Sequence, residues 1–172
     1  MKPKLIFFSI LSLLVLSACG SNPGEQTEVH HDIHTSAGST ERMIQMPNGD
    51  IRETTASVKQ LPSFLDVADE QMKAIYQLAA NHAEILQWIP CYCGCGEAAG
   101  HRSNLNCFVA SKEENVTLIW DDHGTRCQVC LETALISVQL AESGKSIEEI
   151  RSQIEQTYSS GFAAPTPTPL PQ

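Results

Sequence analysis

Three thiols within five residues, Cys91, Cys93 and Cys95, constrain this chain more than anything else in it. Alternate residues of an extended strand lie about 6.5–7 Å apart on one face, whereas thiolates sharing one tetrahedral metal sit about 3.7 Å apart. The chain must curl if these sulfurs are to meet. The stretch Pro90-Cys91-Tyr92-Cys93-Gly94-Cys95-Gly96 allows it. Glycine takes positive φ readily, and proline ends whatever helix precedes it. A metal knuckle fits this loop better than a packed strand does. Cys107, Cys127 and Cys130 follow within the next 35 residues, and His101 and His123 fall in the same window.

Cys127-Gln128-Val129-Cys130 is a CxxC pair at the start of a predicted helix. Its apolar face holds Cys127, Cys130, Leu131, Ala134, Val138 and Ala141, and amide dipoles at a helix start favour thiolate. Three chemistries compete for the six thiols. With His123 or His101 they bind soft metal ions. Alternatively they form three structural disulfides, which an extracytoplasmic compartment permits and an even count suggests. In the third, the CxxC exchanges disulfides, but no βαβ pattern precedes it. Three disulfides would need three different partners for Cys91, Cys93 and Cys95 in one small region, so metal is favoured. Soft thiolates suit copper(I) or zinc. Cys93, Cys95, Cys127 and Cys130 are the first-choice ligands, since CxC and CxxC give two short chelates with small loop-closure cost. Cys91, Cys107 and His123 form a second tier, adding an ion or shielding the first. Asp121 and Asp122 could orient a bound His123.

The N-terminus predicts the address. Lys2 and Lys4 precede an apolar run over residues 5–16, too short for a spanning helix of about 20 residues. Leu16-Ser17-Ala18-Cys19 resembles the lipobox of bacterial lipoproteins, which implies that Cys19 is diacylated and becomes the mature N-terminus. Two acyl chains give stable anchoring, so the expectation is a lipid anchor on the extracytoplasmic face of a bacterial cell membrane. The formal charge of −9 and the lack of a basic run disfavour nucleic-acid binding.

The expected fold is mainly α: a small helical domain with a short β-hairpin and a Cys-rich loop, flanked by flexible tails. Residues 1–18 read as signal peptide, 19–60 as lipidated tether, 61–162 as the domain and 163–172 as a disordered Pro-rich tail. Within the tether, His30, His31 and His34 read as solvated linker in preference to a metal collector, and Asn48-Gly49 as a turn. One helix is predicted over residues 66–89, with His82 interrupting its apolar stripe as a core or supporting residue. A hairpin follows over residues 108–120. Ser146-Ile147-Glu148-Glu149 is a capping box for a last helix. No nucleophile elbow, phosphate loop, zincin or dinucleotide motif occurs, so a binding protein is expected before an enzyme. A disulfide-stapled, non-catalytic surface module is the main alternative to metal binding.

Pro-Cys-Tyr-Cys-Gly-Cys at 90–95 behind a lipobox resembles the bacterial PCYCGC-motif lipoprotein family. The likeness takes in Gly100-His101, Asn106-Cys107-Phe108 and Trp120-Asp121-Asp122-His123 through Cys130, roughly residues 62–142. It implies membership of a family without a characterised activity. The spacing Cys93-x-Cys95, then 31 residues, then Cys127-x2-Cys130 is also similar to the bacterioferritin-associated [2Fe–2S] domain, although strands and loop, not helices, are predicted between the pairs.

Overall fold

The computed structural model describes residues 43–112 and 117–171. Cys19 and the histidines at 30, 31 and 34 lie outside the described residues. Four strands form one antiparallel sheet in the order β1-β2-β4-β3: β1 Met43–Gln45, β2 Ile51–Thr55, β3 Val109–Lys112 and β4 Leu118–Asp121. Among the described residues five helices accompany it: α1 Glu70–Asn81, α2 Ala83–Leu86, α3 Cys95–Ala98, α4 Gln128–Glu142 and α5 Ile147–Thr157. The mainly α expectation holds only in part: helices are present, but a second hairpin from the supposed tether joins the expected one in a four-stranded sheet.

That second hairpin turns at Asn48-Gly49, where Gly49 has φ +89° and donates its amide to Met46 O at 2.9 Å. Strand β2 then pairs with β4, Glu53 opposite Trp120 and Thr55 opposite Leu118. Its inward face is polar, which removes the usual alternation of a strand. Glu53 is buried because its carboxylate accepts from Ser63 N at 2.7 Å, Ser63 Oγ at 2.9 Å and Phe64 N at 3.4 Å. It thereby holds the 3₁₀ turn Ser63–Leu65. Thr55 is buried because its hydroxyl accepts from Trp120 Nε1 at 2.8 Å.

The helix predicted over 66–89 is in fact two. Asp69 caps α1 by accepting from Met72 N at 2.8 Å, so the start moves to Glu70. At His82 the backbone leaves helical geometry (φ −114°, ψ 33°), and α2 begins directly after it. Asn81 and His82 are both poor helix formers. Leu86 and Ile89 beyond the break are still fully buried. From α1, Tyr76 reaches across to donate to Asp121 O at 2.9 Å, its ring edge-on to Phe108 at 5.1 Å. The capping box at Ser146 and Glu149 forms as the sequence predicts, and α5 buries Ile150 and Ile154.

The proline tail, expected to be loose, lies along the cysteine loop. Thr166 N donates to Cys91 O at 2.9 Å, Cys91 N donates to Thr166 Oγ1 at 2.9 Å, and Ala163 N donates to Tyr92 O at 3.1 Å. Thr168 Oγ1 donates to Arg102 O at 2.6 Å. Arg151 of α5 fastens the end, donating to Pro169 O at 2.7 Å and Thr168 O at 3.2 Å. Thr166 is only 4 % exposed. Prolines at 165, 167, 169 and 171 remove every second amide there, so no ladder pattern announces the docking. Replacing Thr166 with Val keeps the shape and removes the acceptor for a buried amide. That should cost about 1–3 kcal/mol in urea unfolding and open the tail to proteases; unchanged unfolding would show that the tail is not bound in solution.

Candidate metal centre

The six thiols come together at the heart of the core, from four segments. Pro90 ends the α2 region, and Ile89 O accepts from Asn104 N at 2.8 Å. Asn104 also donates to Cys130 O at 3.1 Å, tying the loop to α4. Gly94 turns the chain at φ +89° and opens α3, as the spacing demanded, so that Cys95 faces inward. Cys107 ends the 3₁₀ turn Asn104–Cys107. Cys127 is the N-cap of α4, its sulfur accepting from Cys130 N at 3.4 Å. His123 rides on the 3₁₀ turn Asp122–Arg126, whose cap Asp121 accepts from His123 N at 3.1 Å. Gly124 in that turn is obligatory for space: an added Cβ would lie 2.7 Å from Phe108 Cε1 and 2.9 Å from Cys107 O.

Cys91 Sγ lies 3.5 Å from Cys93 and 3.5 Å from Cys130, and Cys93 Sγ lies 3.6 Å from Cys130. Cys107 Sγ is 3.0 Å from Cys130, 3.8 Å from Cys95 and 3.9 Å from Cys91. A disulfide needs about 2.05 Å, and all six thiols are free. Most of these separations are close to the 3.7 Å that thiolates adopt around one tetrahedral ion. His123 Nε2 is 3.9 Å from Cys93 Sγ, and His101 Nδ1 is 3.6 Å from Cys107 Sγ. Among the described residues, Cys93, His123, Cys127 and Cys130 form one group whose ligand atoms all lie within 4.8 Å of one another.

The predicted first-choice set is therefore brought together in part. Cys93, Cys127 and Cys130 meet, with His123 as the fourth member of their group. Cys95 instead groups with Cys107 and His101, and also with Cys91 and Cys93. His82 caps α1 and lies half-buried 3.8 Å from Glu84. Sequence reasoning did not single out Asp50. It is buried, accepts from Arg126, and places its carboxylate 3.3 Å from His123 Nδ1. A carboxylate on the far nitrogen of a ligating imidazole fixes ring and tautomer. The signal lay in Asp50 following Asn48-Gly49, where a buried acid is not anticipated. Asp121 lies farther from His101, its Oδ2 4.0 Å from Nε2 and accepting from Arg52 Nε at 2.9 Å. Arg126 also donates to Asp122 at 2.6 Å, and Asp122 accepts from Ile51 N at 2.8 Å, which ties the His123 turn to β2.

Charge is divided unevenly across the cluster. Hydrogen bonds from Cys107 first, then Cys130, pull the Cys91 thiol down to about 4. Cys93 is likewise held low by Cys107, Cys127 and Cys130. Burial pushes Cys107 up, and its neighbours, Cys107 first, push Cys130 up. The cluster thus favours the anionic form at Cys91 and Cys93 over that at Cys107 and Cys130. Burial keeps His101 neutral, the form that ligates metals. Cys93 and Cys127 are half-buried and the His123 side chain is 20 % exposed, whereas the other four thiols and His101 are buried. The cluster opens to solvent on that side.

Fold and site define a cysteine-rich domain of helices on a small antiparallel sheet, closed around a thiol–imidazole cluster. Within that class, the chain belongs to the family described as proteins of unknown function with a PCYCGC motif, whose model matches residues 8–171. No match was found among curated proteins or among solved structures. The region between Cys95 and Cys127 contains strands β3 and β4, as expected there, together with the short helix α3 and two 3₁₀ turns.

His123 is raised by its hydrogen bond to Cys93 and further by Asp50. A raised folded value stabilises the metal-free chain fully below the unfolded pKa of about 6.5, and that contribution is lost as pH rises through the folded value. Asp50→Asn should lower the His123 titration seen by NMR and move this loss to lower pH in melts. An unmoved titration would remove Asp50 from the site.

Proposed function

We propose that this protein is a membrane-anchored extracytoplasmic lipoprotein that binds a soft metal ion, copper(I) or zinc, through its clustered cysteines. Trafficking or sequestration of the ion is the role that suits a half-open site. The observation that carries the reading is the group Cys93, Cys127, Cys130 and His123, three sulfurs and one imidazole nitrogen within 4.8 Å of one another. Three thiolates and a histidine are an established donor set for zinc, and thiolate-rich sites also favour copper(I). The Asp50 carboxylate behind His123 supports it further. Each central thiol has several sulfur neighbours at 3.0–3.9 Å, where a stapled module would give each a single partner. The anchor rests on Leu16-Ser17-Ala18-Cys19 behind an apolar leader.

Full-length protein purified from membranes, with and without reductant, decides between metal and disulfide. Metal analysis should return zinc or copper at whole-number stoichiometry, and chelation should reduce helical signal, because binding energy in small thiolate sites is folding energy. A mass lower by six hydrogens, without an ion, would establish the stapled module instead. Cys127→Ser should lose most of the readily exchanged metal. Separately, Cys19→Ala should abolish incorporation of a fatty-acid label; undiminished labelling would refute the anchor.

A further inference from the structure

The proposed ion uses Cys93, Cys127, Cys130 and His123, which leaves three thiols and a buried imidazole without a role. We propose that Cys95, Cys107 and His101 form a second, fully buried metal position, completed by the Cys130 thiolate that joins it to the first, with Cys91 packed beside it. The inference rests on the soft-metal reading of the cluster and extends it to a binuclear centre.

Geometry carries the argument. Cys95, Cys107 and His101 place their ligand atoms within 4.8 Å of one another, with Cys95 Sγ 3.8 Å and His101 Nδ1 3.6 Å from Cys107 Sγ. The Cys130 sulfur, 3.0 Å from Cys107, supplies the fourth donor, so the set is three sulfurs and one nitrogen, the same as in the outer group. Cys91 lies beside them, 3.9 Å from Cys107 and within 4.8 Å of Cys95. Each imidazole has a carboxylate behind its far nitrogen, Asp50 at 3.3 Å from His123 and Asp121 at 4.0 Å from His101. His101 is 2 % exposed and its Nε2 has no hydrogen-bond partner. An imidazole drawn onto an ion through Nδ1 must carry its proton on Nε2, and the Asp121 carboxylate 4.0 Å away is the acceptor placed to receive it.

The bridge follows from Cys130, whose sulfur lies 3.0 Å from Cys107 and 3.5 Å from Cys91 on one side and 3.6 Å from Cys93 on the other. The inner ion, surrounded by buried side chains, would be retained, while the outer one exchanges through the Cys93–Cys127–His123 opening.

Cobalt(II) serves as the probe, added to reduced, metal-free full-length protein while absorption and electron paramagnetic resonance are recorded. Wild type should bind two equivalents, each giving sulfur-to-cobalt charge-transfer bands. The resonance should grow with the first and fall with the second, because a shared thiolate couples the two spins. Cys127→Ser with His123→Ala should leave one ion that a chelator removes slowly. Cys95→Ser with His101→Ala should leave one that is removed quickly, provided circular dichroism shows it folded. The wild-type count stands even if that variant does not fold. Saturation at one equivalent with an undiminished resonance would overturn the second position and leave the soft-metal reading intact. Two uncoupled ions would overturn the bridge, and three or more would overturn the two-position assignment. Absence of any binding would overturn both readings.

Discussion

Sulfur packed against sulfur at the centre of the apolar core is the contact on which the rest of this structure depends. Cys91, Cys95, Cys107 and Cys130 are each no more than 1 % exposed, yet they come from a loop, a short helix, a 3₁₀ turn and the first turn of α4. A neutral thiol behaves as a small hydrophobe, so the core can close around these groups without help. A thiolate cannot stay there uncompensated. The same four side chains therefore determine both how the segments assemble and how much positive charge the interior can accept.

Buried carboxylates connect this interior to the sheet. Asp50 leaves the β1–β2 turn, Asp121 ends β4, and Asp122 begins the turn that bears His123. Arg52 donates to Asp121 at 2.9 Å, while Arg126 serves Asp50 and Asp122 together. Isolated buried carboxylates would be costly, and pairing offsets that cost. The consequence is that β2 belongs to the site as much as to the sheet: its first amide is held by Asp122, and its preceding turn supplies the partner of His123.

What the sequence disclosed was whatever local chemistry dictates. The Asn48-Gly49 turn, the Gly94 reversal, the Pro90 stop and the Ser146–Glu149 capping box are each decided within a few residues. The thiol clustering was legible for the same reason, through spacing. Strand β2 was not, because its buried side chains are Glu53 and Thr55, which are acceptable inside only thanks to Ser63 and Phe64 on the turn that follows and Trp120 65 residues away. The docking of Thr166 was hidden in the same way, since its partner Cys91 lies 75 residues away. The pairing of His123 with Cys93, and of Cys95 with Cys107, depends on how the turn after β4 meets the loop after α2. No period in either segment encodes that meeting.

The two imidazoles touch. The His101 and His123 rings lie edge to face with centroids 4.8 Å apart. Each ring is thus part of the wall that limits how the other can rotate. An ion that immobilises one of them removes freedom that the other would otherwise lose at its own binding step. Such ordering, once done, makes the following step less costly without any change in backbone. Because coupling between equilibria is reciprocal, occupancy on the solvent side of the cluster and occupancy on its buried side would each strengthen the other. Under the proposed two-position binding, the outer position would then fill over a narrower range of free metal than it would alone.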